Sequence, residues 1–191
     1  MVILEVLQQV ITKLEELGIP YMVSGSTASS YHAFIRSTQD GDLVVSLGMD
    51  DVEKFAAAFA SEFYLDRDSI PRALQQCSSF NLIHLESSLK IDFFPLRSRS
   101  FSREEFSRRQ LRALVSGSKT PAYIATAEDT ILSKLEWFHL GGEVSENQWK
   151  DVLGVLKVQA DRLDFSYLKH WAAELHVEDL LEKALAEARR P

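Results

Sequence analysis

Three aspartates are the side chains of this sequence best suited to chemistry. Asp40 and Asp42 flank a single glycine, and Asp92 interrupts the apolar run Ile91-Asp92-Phe93-Phe94. Residues two apart on a strand share a face. Two carboxylates on one face repel each other, and a cation between them removes that cost. Mg²⁺ takes such oxygen ligands and keeps waters and phosphate oxygens beside them. An Asp-x-Asp pair at a strand start is also a common solvated turn, so the pair alone leaves both readings open. Asp92 is expensive in a buried strand unless something pairs with it. Lys90 on the same face is one candidate partner; a metal shared with Asp40 and Asp42 is the other.

A second group of residues suits phosphate. Gly25-Ser26 lies between a short strand and a helix, where glycine permits close backbone approach and the first helical N–H groups face outward. Gly-Ser is equally an ordinary turn. Arg36 could meet a phosphate or pair with Asp42. From Arg97 to Arg112 the chain carries Arg97, Arg99, Arg103, Arg108, Arg109 and Arg112 against only Glu104 and Glu105. Arginine makes bidentate phosphate contacts, so this stretch is a candidate surface for a phosphate-bearing acceptor such as RNA; a solvated helix face is the alternative. The five histidines lack metal-ligand spacing. Cys77 is the sole cysteine, which excludes an internal disulfide or a cysteine-rich zinc site. It reads as a semi-buried small residue after an amphipathic turn, in a chain suited to a reducing cytoplasm.

The elements that must position these residues can be read from periodicity. Ile3, Val6, Leu7, Val10, Ile11, Leu14 and Leu17 predict an amphipathic helix over 2–17, closed by Gly18 and blocked by Pro20. Tyr21-Met22-Val23 predicts a strand, Ser26 to Phe34 a helix, and Asp42 to Leu47 a β-branched strand. Asp50 and Asp51 can cap a helix through Phe63, and a short helix is expected over 69–77. Phe80–Leu85 and Leu89–Leu96 form a predicted hairpin across Glu86-Ser87-Ser88. Ser102-Arg103-Glu104-Glu105 has the capping-box pattern and predicts a helix start at Ser102. A short strand is expected at Ala122-Tyr123-Ile124. After Thr126 only helical patterns remain. Thr126 and Ser145 head two capping signals, Gly141-Gly142 separates those helices, and two more run over 164–175 and 177–189. The expected division is an α/β core over 1–124 and a helical subdomain over 125–191.

Taken together, strand, Gly-Ser, helix, Asp-x-Asp strand and a later strand with one aspartate resemble the nucleotidyltransferase superfamily, the fold shared with DNA polymerase beta. Val23-Ser24-Gly25-Ser26 through Ser37-Thr38-Gln39-Asp40-Gly41-Asp42-Leu43-Val44-Val45 looks like the family's first motif, and Ile91-Asp92-Phe93-Phe94 like its second. Ala127-Glu128-Asp129, Ser133-Lys134-Leu135 and Trp149-Lys150-Asp151-Val152 are similar to small bacterial stand-alone and abortive-infection toxin nucleotidyltransferases. The resemblance covers roughly residues 20 to 160. It implies an α+β fold: a small mixed sheet backed by helices, then a C-terminal helical half. It also implies Mg²⁺-dependent (or Mn²⁺-dependent) transfer of a nucleoside monophosphate from a triphosphate to a hydroxyl acceptor. Asp40 and Asp42 would hold the metal that bridges the triphosphate. Asp92 would complete a second metal position and help deprotonate the acceptor. Gly25 and Ser26 would cradle the β and γ phosphates, Lys134 would contact phosphate, and Asp151 matches a position of the toxin-like group. For Lys134 and Asp151 a surface helix ion pair is the alternative. A role as the toxin of a toxin–antitoxin pair, with an antitoxin partner, is a specific version of this expectation. A domain of the same fold that binds nucleotide or a partner without turnover is the rival.

Two departures stand out. Gly41 replaces the aliphatic residue usual between the paired aspartates, and Ser26 to Asp40 is a long spacing that the intervening helix can absorb. Bulk properties narrow the classes further. At 191 residues, with 46% hydrophobic and 26% charged side chains, the chain can bury a core without a disulfide or structural metal. A net charge of -7 disfavours broad nucleic-acid binding while permitting a local basic patch. No apolar run reaches the length of a membrane span, and Met1-Val2-Ile3-Leu4-Glu5 lacks the basic start of a signal peptide.

Overall fold

A computed structural model describes residues 3–33, 40–114 and 121–189. The described residues form two compact units. The first contains helix α1 (Ile3–Glu16), strand β1 (Tyr21–Val23) and everything from β2 to β7. The second contains α2 (Gly25–His32) and the helices after residue 125.

The first unit is a mixed sheet with strands in the order β3-β4-β5-β2-β1-β7-β6. The members not yet placed are β2 (Asp40–Val45), β3 (Phe63–Tyr64), β4 (Phe80–His84), β5 (Lys90–Pro95), β6 (Gln110–Ala113) and β7 (Pro121–Ile124). β2 runs parallel to β5 and antiparallel to β1, and β1 is parallel to β7. α1 buries Ile3, Val6, Leu7, Val10, Ile11 and Leu14, the stripe its periodicity predicts. It ends at Gly18 (φ +66°), with the Ile19 N–H on the Leu14 carbonyl and the Gly18 N–H on the Glu15 carbonyl. This is the Schellman arrangement, for which glycine is favoured. On the core face of the sheet Phe93 stacks on Phe80, and Phe55 meets both edge-on.

Several boundaries differ from expectation. β2 begins at Asp40 rather than Asp42, so both aspartates lie inside the strand. The helix after Asp50 is a 3₁₀ turn at Met49–Asp51 followed by α3 (Val52–Phe59). It does not reach Phe63, which enters β3 and buries its ring beside Phe59. Cys77 follows α4 (Ser69–Gln76) in the left-handed region (φ 51°) and is exposed, not semi-buried. The next helix, α5 (Ser100–Arg108), starts ahead of Ser102; Ser102 is buried within it, and its hydroxyl accepts from Arg99 Nε at 2.8 Å instead of capping. β6 has no counterpart among the predicted strands. All four of its residues are exposed, so it carries no alternation of burial to read.

The second unit is helical. α6 (Ala127–Leu140) and α7 (Glu146–Gln159) are capped by Thr126 and Ser145, whose hydroxyls accept from the Asp129 and Gln148 N–H groups. α8 (Phe165–Glu174) and α9 (Glu178–Ala188) follow. Asp129 is fully buried, and its two carboxylate oxygens accept from Thr126 Oγ1 and from Tyr167 Oη, each at 2.6 Å. That clamp ties α8 to α6. A division at residue 124 assigns α2 to the α/β half, but α2 packs with α6 and α7. Its small buried residues, Thr27, Ala28 and Ser29, permit the approach. So does Gly154 on α7, where an added Cβ would lie 3.4 Å from the Ala33 Cβ. Among the described residues no helix is long and apolar enough to cross a membrane.

Candidate active site

The carboxylates are brought together by strand register. Along β2 the core-facing residues are Gly41, Leu43 and Val45, which puts Asp40 and Asp42 on the opposite face. β5 repeats the pattern, with Ile91 and Phe93 buried and Lys90 and Asp92 turned the other way. Because β2 and β5 are parallel, Asp42 sits directly beside Asp92, and Asp40 beside Lys90. Neighbouring strands are about 4.8 Å apart, so three carboxylates and one ammonium share a single small patch. The Ser24 N–H donates to the Asp42 carbonyl at 3.0 Å and anchors the end of β1 to this strand.

Lys90 pairs with Asp92 within this patch. Its Nζ is 2.8 Å from Asp92 Oδ2, with side-chain exposures of 40% and 18%. The hydrogen bond to Asp92 holds the ammonium above the usual lysine range; burial works against this, and the charges of Asp92, Asp40 and Asp42 support it. Of the two partners that the sequence offers Asp92, Lys90 is thus in contact with it, and all three aspartates contribute to the field at its ammonium. Their donor chemistry, hard oxygens on one face, suits a divalent cation. Among the described residues no three His, Cys, Asp or Glu side chains stand in a finished ligand arrangement.

Gly41 has a packing reason. A Cβ built there would lie 2.7 Å from Ile91 Cδ1 and 3.5 Å from Leu7 Cδ1. The departure from the aliphatic residue thus fits the bulk of Ile91 and α1 beneath it. Gly41→Ala is expected to lower stability by roughly 1–2 kcal/mol through overpacking. Ile91→Val deletes the clashing methyl, so most of that penalty should vanish in the Ile91→Val background. Urea midpoints of the four proteins give the coupling; simple additivity would show that Gly41 is not there to accommodate Ile91.

In the helical unit, Lys134 on α6 and Asp151 on α7 form an ion pair of 2.9 Å, with side-chain exposures of 8% and 5%. The Ser29 hydroxyl on α2 donates to the same Asp151 oxygen at 3.2 Å. This corrects the alternative of a surface pair: the contact is buried and joins three helices. Sequence spacing alone did not show Ser29 as a partner, since it lies 122 residues from Asp151. Gly25 opens α2 with φ +55°, and Ser26 follows half-buried. Arg36 lies outside the described residues.

The arginine-rich stretch is not one helix face. Arg99 precedes α5, Arg103 and Arg108 lie on it, Arg109 ends it, and Arg112 is on β6. Arg97 donates to the Cys77 carbonyl, and Arg112 to the Gln110 side chain and the Leu111 carbonyl. Arg109 lies over the rings of Phe106 and Tyr123, 4.2 and 4.8 Å from their centroids. It therefore packs as much as it presents charge. Arg103 is the exposed member on α5.

No protein-family model matches the sequence, and no curated protein does so significantly. Solved structures do match. An antigenic nucleotidyltransferase-like protein from Paracoccidioides brasiliensis aligns over 95% of this chain and 91% of its own, with 16% identity and a TM-score of 0.57. ANT(2")-Ia in complex with adenylyl-2"-tobramycin aligns over 90% of this chain and 95% of its own, with 10% identity and a TM-score of 0.54. The lincosamide antibiotic adenylyltransferase LnuA, lincomycin-bound, aligns over 80% and 95%, with 14% identity and a TM-score of 0.51. At such identities the likeness is one of fold, and the fold is that of nucleotidyltransferases.

Proposed function

We propose that this nucleotidyltransferase-fold protein transfers a nucleoside monophosphate from a nucleoside triphosphate to a hydroxyl acceptor, with Asp40, Asp42 and Asp92 as the catalytic carboxylates. The observation that carries the reading is the β2–β5 register, which sets Asp42 beside Asp92 and Asp40 on the same face. Asp40 and Asp42 would hold a divalent cation, Mg²⁺ or Mn²⁺, and Asp92 would share a second. Such cations neutralise charge on the attacking and leaving oxygens of an in-line displacement.

The chain's own residues do the rest. Asp92 accepts the proton of the acceptor hydroxyl as its oxygen bonds to the α phosphorus. The bond between the α phosphorus and the bridging oxygen breaks, and pyrophosphate leaves with that electron pair. Gly25 and Ser26, which directly follow Ser24, offer backbone N–H groups to the β and γ phosphates. Arg36 and Lys134 add positive charge toward the nucleotide, and Asp151 positions Lys134 through their ion pair. The acceptor is RNA, a protein side chain or a small molecule such as an antibiotic. The antibiotic adenylyltransferases among the structural matches support the last class. A toxin role with an antitoxin partner and a cytoplasmic setting belong to the same proposal.

The test uses triphosphates labelled at the α or the γ phosphate, with Mg²⁺ or Mn²⁺, against pools of RNA, protein, and aminoglycoside and lincosamide antibiotics. Transfer puts the α label on an acceptor and the γ label in pyrophosphate. If RNA is the acceptor, changing Arg108 and Arg109 to Glu should raise KM for it by at least about tenfold, since each reversal replaces a phosphate attraction with a repulsion. Unchanged KM would remove Arg108 and Arg109 from the acceptor site.

One observation favours a second reading. Lys90 already pairs with Asp92, as suits a domain that binds nucleotide or a partner without turnover. Nucleotide that binds and is recovered intact in the presence of every acceptor pool would establish it.

A further inference from the structure

Metal-dependent transfer makes no use of Lys90, which stands within the carboxylate patch. Its place is set by backbone geometry. It faces Asp40 across the β2–β5 register, stands two residues before Asp92 on the same face, and reaches Asp92 Oδ2 at 2.8 Å. An ammonium there neutralises Asp92 and offsets part of the negative charge of its neighbours Asp40 and Asp42. Lysine is suited to this work because its charge sits on a long, flexible stem with three donors. With 40% of its side chain exposed, it has open space into which it can turn.

We propose that Lys90 is a built-in counter-cation: its ammonium pairs with Asp92, beside Asp40 and Asp42, when no metal is bound, and it must leave that carboxylate for a divalent cation to enter. The inference rests on the reading of those carboxylates as metal ligands. Lys90 is thereby a positioning residue that sets the metal concentration the site requires. Its charge also opposes the entry of any second cation, because like charges a few ångströms apart repel even through a partly screened medium. Two consequences follow for a protein lacking this charge. Without metal, Asp92 loses its ammonium while Asp40 and Asp42 stay beside it, and the fold should lose stability. With metal, the cation enters without displacing an ammonium, and binding should tighten.

The experiment compares wild type with Lys90→Met, Lys90→Gln and Lys90→Arg. Free Mn²⁺ is followed by its paramagnetic resonance signal in a MnCl₂ titration, with and without nucleoside triphosphate, and melting temperature is recorded across the same series. The expected result is at least about tenfold tighter Mn²⁺ binding by Lys90→Met and Lys90→Gln. Both should melt lower than wild type without metal and recover with it. Lys90→Arg, which keeps the charge, should stay near wild type. The glutamine variant keeps a polar side chain at the position should the methionine variant fold poorly. Wild type that binds Mn²⁺ while the neutral variants bind it equally or more weakly overturns the counter-cation role and leaves the metal-ligand reading standing. No Mn²⁺ binding by any of the proteins, with or without triphosphate, overturns both.

Discussion

Changing Asp40 and Asp42 together to alanine is expected to abolish the metal-dependent thermal stabilisation that a nucleoside triphosphate gives the wild-type protein. A ligand that binds only the folded state, at a hundred times its dissociation constant, adds about 2.7 kcal/mol. For a chain of this size that corresponds to a melting-temperature rise of roughly 5–10 °C. The metal-free, nucleotide-free double variant should melt close to wild type. Asp40 is exposed and Asp42 half-buried, so neither supports the core. Removing both also relieves repulsion around Asp92, whose charge Lys90 continues to balance. The pattern to look for in a Mg²⁺ and nucleotide titration is therefore an unchanged baseline with a lost shift. A shift that survives in the variant would place the nucleotide away from these carboxylates and would defeat the proposed site.

The second large effect concerns the helical unit. Lys134→Ala takes the 2.9 Å ammonium contact away from buried Asp151, which keeps the Ser29 hydroxyl at 3.2 Å. Breaking a buried pair from one side costs about 3–5 kcal/mol, because the surviving charge has lost its counter-charge without regaining water. Asp151→Ala should cost a similar amount by stranding Lys134. Replacing both residues with apolar side chains of similar volume, Lys134→Met with Asp151→Leu, should recover most of the loss, since an apolar contact in such a position is often as stable as the ion pair. Chemical denaturation of the three proteins measures this directly. The double variant also separates structure from function. If it is stable but no longer responds to nucleotide, Lys134 contributes to phosphate binding; if it responds as wild type does, the pair serves only to join α6, α7 and α2.

These two outcomes also mark how much of the protein its sequence could disclose. Amphipathic α1 and the caps at Thr126 and Ser145 are local, and each was readable because spacing or side-chain chemistry within one helical turn determines it. The Asp-x-Asp pair was readable for the same reason, since residues two apart on any strand share a face. Errors arose where local signals competed. Ser102 carries a capping-box pattern, yet its buried place within α5 and its contact with Arg99 override the cap. The helix at Asp50 stopped before Phe63 because that ring is buried beside Phe59 in a different element. β6 left no alternation to read because none of its residues is buried.

What the amino-acid sequence by itself determined is the set of chemical groups and their order along the chain: the carboxylates, the glycine-serine turn, the arginines and the helical C-terminal half. Only the tertiary structure decided which of them meet. That Asp92 falls beside Asp42 depends on the pairing of two strands about fifty residues apart in the chain. That Lys134 and Asp151 are buried rather than solvated depends on α2 packing over them with Ser29. Gly41 shows the same division. Its sequence context marked only a departure from a pattern, and the reason for it, the δ methyl of Ile91 beneath the position, comes from a neighbouring strand. Local chemistry is written in nearest neighbours, whereas register, burial and steric fit arise from contacts between segments that the chain brings together only on folding.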